Sequence, residues 1–324
     1  MFSARKHGVY SLSEGQATVA DSGNYVNKNW TPISYGMEVV FRQMQIAGNR
    51  PRTIQSYDYI FKQFVKFNEL VFIEEINSDC IYNYLENLNV KVQTKKIRLK
   101  TIKAVLGKLY FNNWIKDNFW KNIQIKVDKE VKSSAKESDI HKLFHLIDTS
   151  TFIGFRDVTA IKLMFKTGIR IHTLCEVKER HIDFENQCLN LDGSTMKNHK
   201  YLKLPIDAEL AELLKMLINH NQRIRKHFKT SNTNVFITQN GLAMNTSKSS
   251  NCAISKQLNK YSKRYGLKNI NAHAIRRAFA KSLLEKGASV PLISKALGHS
   301  DLAVTTQYLD LDIEEVSNSL KQYL

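Results

Sequence analysis

Residues able to do chemistry concentrate in the second half of this sequence: Arg170, His273, Arg276, His299 and Tyr308. They stand in four short stretches, Thr167-Gly168-Ile169-Arg170, His273-Ala274-Ile275-Arg276-Arg277, Leu297-Gly298-His299-Ser300-Asp301 and Thr305-Thr306-Gln307-Tyr308. The tyrosine follows the last histidine by nine positions (308 − 299). A helix would put His273 and Arg276, three apart, on one face. Together these side chains suit displacement at a phosphodiester without a metal. That reaction needs an in-line nucleophile, cations for the non-bridging oxygens and an acid for the departing oxygen. Arginine fits the second need, because its planar fork binds two phosphate oxygens at once and keeps its charge. Arg170 and Arg276 could clamp one phosphate from two sides. A phenol has a reference pKa of about 10, so Tyr308 must lose its proton during attack, eased by polar or cationic neighbours. His273 and His299 are the candidates. A lysine in a desolvated, cationic site can protonate the leaving oxygen. Lys197, in the turn Lys197-Asn198-His199, is the candidate, with Lys200 and Lys203 on the same hairpin as alternatives.

Singly, each residue has a blander reading. Arg170 would be a surface arginine or a helix-terminal ion pair, His299 an ordinary helix-ending histidine, and Tyr308 a half-buried core tyrosine with its hydroxyl on the backbone. Four stretches in one order and spacing outweigh those readings, because the coincidences would have to multiply.

The elements that must position these residues follow from apolar spacing. Residues 1–32 show no sustained period and read as a flexible polar N-terminal arm. From Ile33 to Ile125 the period is helical: Met37, Val40, Phe41 and Met44, then Ile54, Tyr57, Ile60, Phe61, Phe64 and Phe67, and later Ile102, Val105, Leu106 and Leu109. The aromatic positions there have core spacing rather than that of a base-stacking platform. The spacing predicts a helical domain over 33–125, a polar linker over 126–137 and a second domain over 138–311. In the second domain Ser138 is placed to cap a helix, Gly168 to end one, and short alternating strands follow at 181–184, 188–191 and 202–206. From Asp312 to Leu324 a short amphipathic tail helix is expected, with Ile313, Val316, Leu320 and Tyr323 on its apolar side. The fold class is mainly α with a small antiparallel β-sheet.

The formal charge of +18, from 48 Lys and Arg against 30 Asp and Glu, points to a polyanionic partner, nucleic acid first. The run Lys91, Lys95, Lys96, Arg98, Lys100 and Lys103 reads as a phosphate-contacting helix face, and Arg277 adds charge beside Arg276. The sequence shows no long apolar stretch and no leader-like start, so no membrane partner is expected and a cytoplasmic location fits. The cysteines, Cys80, Cys175, Cys188 and Cys252, form no CxxC pair, and His141 and His145 lack the intervening Glu of a zinc-hydrolase helix. No metal site, nucleotide loop or other cofactor is expected.

With these residues in view, the chain resembles the tyrosine recombinases of the phage integrase family, in particular the Xer-like members. The likeness spans most of the length. Arg170, His273-x-x-Arg276 and Leu297-Gly298-His299 with Tyr308 resemble the family's boxes. Lys197 stands eight residues before Pro205, where the family keeps a catalytic lysine, and the stretch around Thr53-Ile54-Gln55-Ser56-Tyr57 resembles its core-binding domain. The resemblance implies a two-domain clamp, a helical core-binding domain and an α+β catalytic domain, closing on double-stranded DNA with inverted-repeat half-sites. It also implies a 3′-phosphotyrosyl intermediate, strand exchange within a homotetramer, a tail that docks on a neighbouring protomer, and accessory DNA-bending or directionality proteins. Integration, excision or resolution would all fit. Two departures stand out: Thr173 replaces the usual acidic residue three after the first arginine, and Arg277 occupies a position that is often histidine. A type IB topoisomerase-like relaxing enzyme and a catalytically silent DNA-binding regulator are the alternatives.

Overall fold

Inward-facing positions spaced three and four apart decide the first helices. In the computed structural model, which describes residues 10–13, 16–19, 30–127, 133–193, 201–244, 252–299, 305–306 and 309, the chain divides into two units, Met1–Lys129 and Glu130–Leu324. That division falls inside the polar stretch 126–137. In the first unit the helices are α1 (Ile33–Ile46), α2 (Pro51–Phe67), α3 (Ser78–Glu86) and α4 (Val92–Phe111). Val40, Phe61, Phe64, Ile102, Val105 and Leu106 are completely buried between them. Pro51 opens α2 at a position where its missing N–H costs nothing, and the Asn77 side chain caps α3 by accepting the Cys80 N–H at 3.1 Å. Gln43 and Asn112 exchange side-chain hydrogen bonds of 2.8 and 3.2 Å, tying the ends of α1 and α4 together. Phe61 and Phe64 are core, as their spacing suggests. Phe67, the last of that series, is 45% exposed and lies edge-on to Tyr84.

Within the stretch expected to be an irregular arm, the backbone forms an antiparallel pair, β1 (Tyr10–Ser13) and β2 (Gln16–Val19), with Tyr10 opposite Val19. A search for helical periodicity passes over so short a run. Its signal is local: β-prone Tyr10, Thr18 and Val19 on either side of a pair that contains Gly15, a residue with turn chemistry.

The second unit contains α5 (Glu137–Leu146), α6 (Phe152–Thr167), α7 (Ile171–Glu176), β3 (Ile182–Asp183), β4 (Cys188–Leu191), β5 (Leu202–Pro205), α8 (Ala208–Phe228), α9 (Ala253–Arg264), α10 (Ala272–Glu285) and α11 (Val290–Ala296). The strands form one antiparallel sheet in the order β3-β4-β5, with Leu189 opposite Ile182 and Leu204. Helix α6 is the hub, packed against α8, α9 and α10, and Ala160, Ile161, Leu163 and Met164 are sealed in its surroundings. Such a helix, apolar on most sides, must be covered from several directions. A buried Arg156–Asp157 pair at 2.6 Å, closed by the Tyr261 hydroxyl on Asp157 at 2.9 Å, joins α6 to α9. Buried charges persist only with such partners.

Two expectations are corrected. Helix α5 begins at Glu137 with Lys136 at the cap position, so Ser138 lies in its first turn and does not cap it. Arg277, expected to contact DNA, is only 8% exposed. Its Nε and Nη2 both donate to the Ser133 carbonyl, at 3.0 and 2.8 Å. Asn269 donates to the same carbonyl at 2.7 Å, and the Ala135 N–H reaches the Ala274 carbonyl at 3.1 Å. Residues 133–135, expected to be linker, are therefore sewn onto α10. Among the described residues no helix is long and apolar enough to cross a membrane, and no group of three metal-ligating side chains occurs.

Candidate active site

Two glycines place the reactive stretches. Gly168 ends α6 in the left-handed conformation (φ 64°), its N–H bonded to the Met164 carbonyl at 2.8 Å. A Cβ there would lie 2.3 Å from a ring carbon of Phe279, so both the backbone and the space demand glycine. Two residues later Arg170, in extended conformation, is the residue from which α7 starts. Gly298 does the equivalent work after α11. It has φ 58°, its N–H bonds the Lys295 carbonyl at 2.9 Å, and the His299 N–H bonds the Ser294 carbonyl at 3.0 Å. That pair is a Schellman closure, and it leaves the Leu297 and Gly298 carbonyls pointing away from the helix ladder.

Both arginines converge on those carbonyls. Arg170 donates from Nη1 to Leu297 O and Gly298 O at 3.3 Å, and from Nη2 to Gly298 O at 3.3 Å. Arg276, 2% exposed on α10, donates from Nη1 to Gly168 O, and from Nη2 to Leu297 O at 2.6 Å. Its Nη2 also meets His299 Nε2 at 3.1 Å. The negative end of a helix is a suitable seat for two cations that would otherwise repel. His273 sits in the first turn of α10, exposed, while Arg276 three residues on is buried. The Asn271 side chain starts that helix by accepting the Ala274 N–H at 3.0 Å. Thr173, where the family usually has a carboxylate, is 3% exposed in α7. The position is thus filled by a small polar side chain packed into the core.

His299 is the group whose titration this setting changes most clearly. Burial, then the Arg276 and Arg170 guanidiniums, push its pKa down to about 4, so it is neutral at pH 7. The sign of the consequence follows from proton linkage. Between the ordinary value of 6.5 and about 4, the unfolded chain takes up a proton at this position that the folded chain refuses. Stability contributed here is complete above that window and is lost as the pH falls through it. The urea midpoint of the DNA-free protein should drop from pH 7 to pH 5, and the drop should be smaller in His299→Gln. Equal drops in the two proteins would contradict the assignment.

The remaining expected residues fall in three groups. Tyr308, Lys197 and Lys200, with the tail helix expected over 312–324, lie outside the described residues. Lys203 is exposed on β5. The basic run of the first unit divides. Lys91, Lys96 and Lys100 are exposed, and the last two share a face of α4. Lys95, Arg98 and Lys103 are half-buried and bond to the Glu86 carbonyl, the Tyr84 hydroxyl and the Lys121 carbonyl at 3.5, 2.7 and 3.0 Å. Partial burial lowers the Lys103 pKa. One participant escapes sequence reasoning altogether: Thr305, completely buried, has its hydroxyl 2.8 Å from His299 Nδ1. Thr306 beside it is exposed, and nothing in the two letters distinguishes them.

The sequence profile described as "Phage integrase family" matches residues 134–315, more than half of the chain and all of this constellation. The chain belongs to the phage integrase family. Among curated proteins it is similar to the tyrosine recombinase XerC of Thermodesulfovibrio yellowstonii, 25% identical over 276 residues, covering 83% of this chain and 89% of the relative. It is also similar to the tyrosine recombinase XerA of Pyrococcus furiosus, 23% identical over 282 residues, 86% of this chain and 90% of the relative. Among solved structures, the Tn1549 transposon integrase in complex with a circular intermediate DNA superposes with a TM-score of 0.64 at 16% identity, covering 90% of this chain and 99% of the other. A lambda integrase tetramer bound to a Holliday junction gives 0.64 at 16% identity, covering 87% and 78%. The fold of this phage integrase family member, mostly helical with a three-stranded antiparallel sheet, is thus that of the DNA strand-transferring recombinases.

Proposed function

We propose that this integrase family member performs site-specific recombination, cleaving DNA through Tyr308 to give a 3′-phosphotyrosyl bond and a free 5′-hydroxyl. The observation that carries this reading is the convergence of Arg170, Arg276 and His299, from three separate stretches of sequence, on the Leu297–Gly298 corner. Two guanidiniums anchored on the shared Leu297 carbonyl bring their N–H donors to one place, as a tetrahedral phosphate requires. Donors fixed before the reaction need no reorganisation when charge develops on the non-bridging oxygens. His273 and His299 serve as hydrogen-bonding partners of the same phosphate or of the phenol. Lys197 protonates the 5′-oxygen as it leaves.

The exposed Lys91, just before α4, and Lys96 and Lys100 on it fit sequence-independent phosphate contacts by the first unit. In this reading each unit contacts duplex DNA, with inverted-repeat half-sites recruiting protomers that complete exchange as a tetramer. The lambda integrase tetramer on a Holliday junction supports that assembly by analogy. The tail over 312–324 would dock on a neighbouring protomer, accessory DNA-bending or directionality proteins would bias the outcome, and the activity belongs in the cytoplasm with its DNA.

The test is to incubate the protein with a duplex library in excess EDTA, denature it with detergent, and sequence the DNA that remains attached. Arginines and a lysine replace the charge stabilisation a metal would otherwise give. The expected result is a shared inverted-repeat sequence joined to protein through its 3′-phosphate. Attachment through a 5′-phosphate, or attachment lost in EDTA, would overturn the proposal.

A further inference from the structure

Thr305 is completely buried, and its hydroxyl lies 2.8 Å from His299 Nδ1. A guanidinium can only donate hydrogen bonds. Arg276 Nη2, 3.1 Å from His299 Nε2, therefore requires a lone pair on that nitrogen. With Nε2 unprotonated, a neutral imidazole carries its proton on Nδ1, where the Thr305 oxygen stands ready to accept it at 2.8 Å. The two contacts are complementary, and they select one tautomer from opposite sides of the ring. The low pKa of His299 agrees with a neutral ring at pH 7.

We infer that Thr305 is a positioning residue that holds the Nδ1–H of His299, making Nε2 the nitrogen that works at the scissile phosphate. The inference rests on the recombinase reading for the role of Nε2, but not for the tautomer. Before DNA arrives, Nε2 accepts from Arg276 and helps aim that guanidinium. An entering phosphate brings negative charge beside the ring and favours uptake of a proton at Nε2. The imidazolium then donates from Nε2 to a phosphate oxygen, while Nδ1–H remains on Thr305. Only one nitrogen changes its role, so the ring need not turn between the two states. The residue which holds a histidine's second nitrogen commonly settles which one does chemistry.

The experiment uses the full chain labelled with 15N-histidine, without DNA, at pH 7. The His299 signals are assigned by their loss in His299→Gln. The expected pattern is a protonated Nδ1 and an unprotonated Nε2 in the wild type and in Thr305→Ser, and, in Thr305→Val, which keeps the shape but removes the acceptor, a second population protonated at Nε2 beside the tautomer that Arg276 still favours. Single-turnover formation of the covalent DNA complex should then fall by about tenfold or more in Thr305→Val, the cost of one unpaired buried donor, and recover in Thr305→Ser, with DNA affinity unchanged throughout. A protonated Nε2 in the wild type would overturn the inference even if no variant folds. A wild-type cleavage rate in folded Thr305→Val would overturn it as well. Absence of cleavage in the wild type would instead refute the recombinase reading and leave the spectroscopic result standing.

Discussion

Tyr308→Phe is expected to bind its DNA within about twofold of the wild-type affinity, since one neutral oxygen at the scissile phosphate adds little to the many charged contacts that set affinity, a change of about 0.5 kcal/mol or less. No covalent protein–DNA complex should form. The phenol oxygen is the attacking atom in this proposal, and water cannot substitute for it in a step whose product is a bond to protein. Gel retardation at fixed salt measures the first half of the expectation, and detergent-stable labelling of the protein by radioactive DNA measures the second. Fixed salt matters because the phosphate-contact part of the affinity falls steeply with ionic strength. A phosphotyrosyl peptide recovered from the variant would transfer the nucleophile to another of the chain's tyrosines and refute the site as drawn.

Arg276→Lys is the second large effect. Lysine keeps one positive charge but loses the fork that spans the Gly168 carbonyl, the Leu297 carbonyl and His299 Nε2 at once. Removing one preorganised donor from a developing anion costs on the order of 10²- to 10³-fold in rate. Here the loss of aim at the phosphate and the loss of the His299 contact should act together, so the single-turnover cleavage rate should fall at least that far. DNA affinity should change little, because the first unit and the net charge are untouched. The side chain is 2% exposed, and the Gly168 carbonyl, deprived of this donor, costs about 1–3 kcal/mol. A lower urea midpoint should therefore accompany the slow cleavage. A variant with the wild-type rate would show that Arg276 is a structural brace between α6, α10 and α11 and not a phosphate ligand.

Much of this molecule was legible in the order of its residues. Apolar positions three and four apart outlined α1, α2 and α4, because a helix buries one stripe and that stripe writes itself into sequence. Gly168 announced a helix end, since a left-handed residue is strained with any side chain, whereas the equivalent role of Gly298 emerged only from the structure. Alternation at 188–191 and 202–206 marked two strands of the sheet. The reactive residues were legible as types at fixed intervals, which is how the family resemblance was seen. What the letters did not carry is which polar groups meet. Arg276 and Arg277 are adjacent and alike, yet one reaches His299 and the other is tied to Ser133. A helix turns by about 100° per residue, so neighbours face different partners. Thr305 and Thr306 part in the same way, one sealed against His299 and the other in solvent. The basic run on α4 divides for a further reason: long side chains lay their stems along whatever surface is near and spend their donors there. The sequence by itself determined most of the helices and the central sheet, the class of chemistry and the family, because those depend on local periodicity and on residue type. The tertiary structure alone decided which arginine is a brace, which threonine holds the histidine and where the two guanidiniums converge, because hydrogen-bond partners are fixed by packing between segments far apart in the chain.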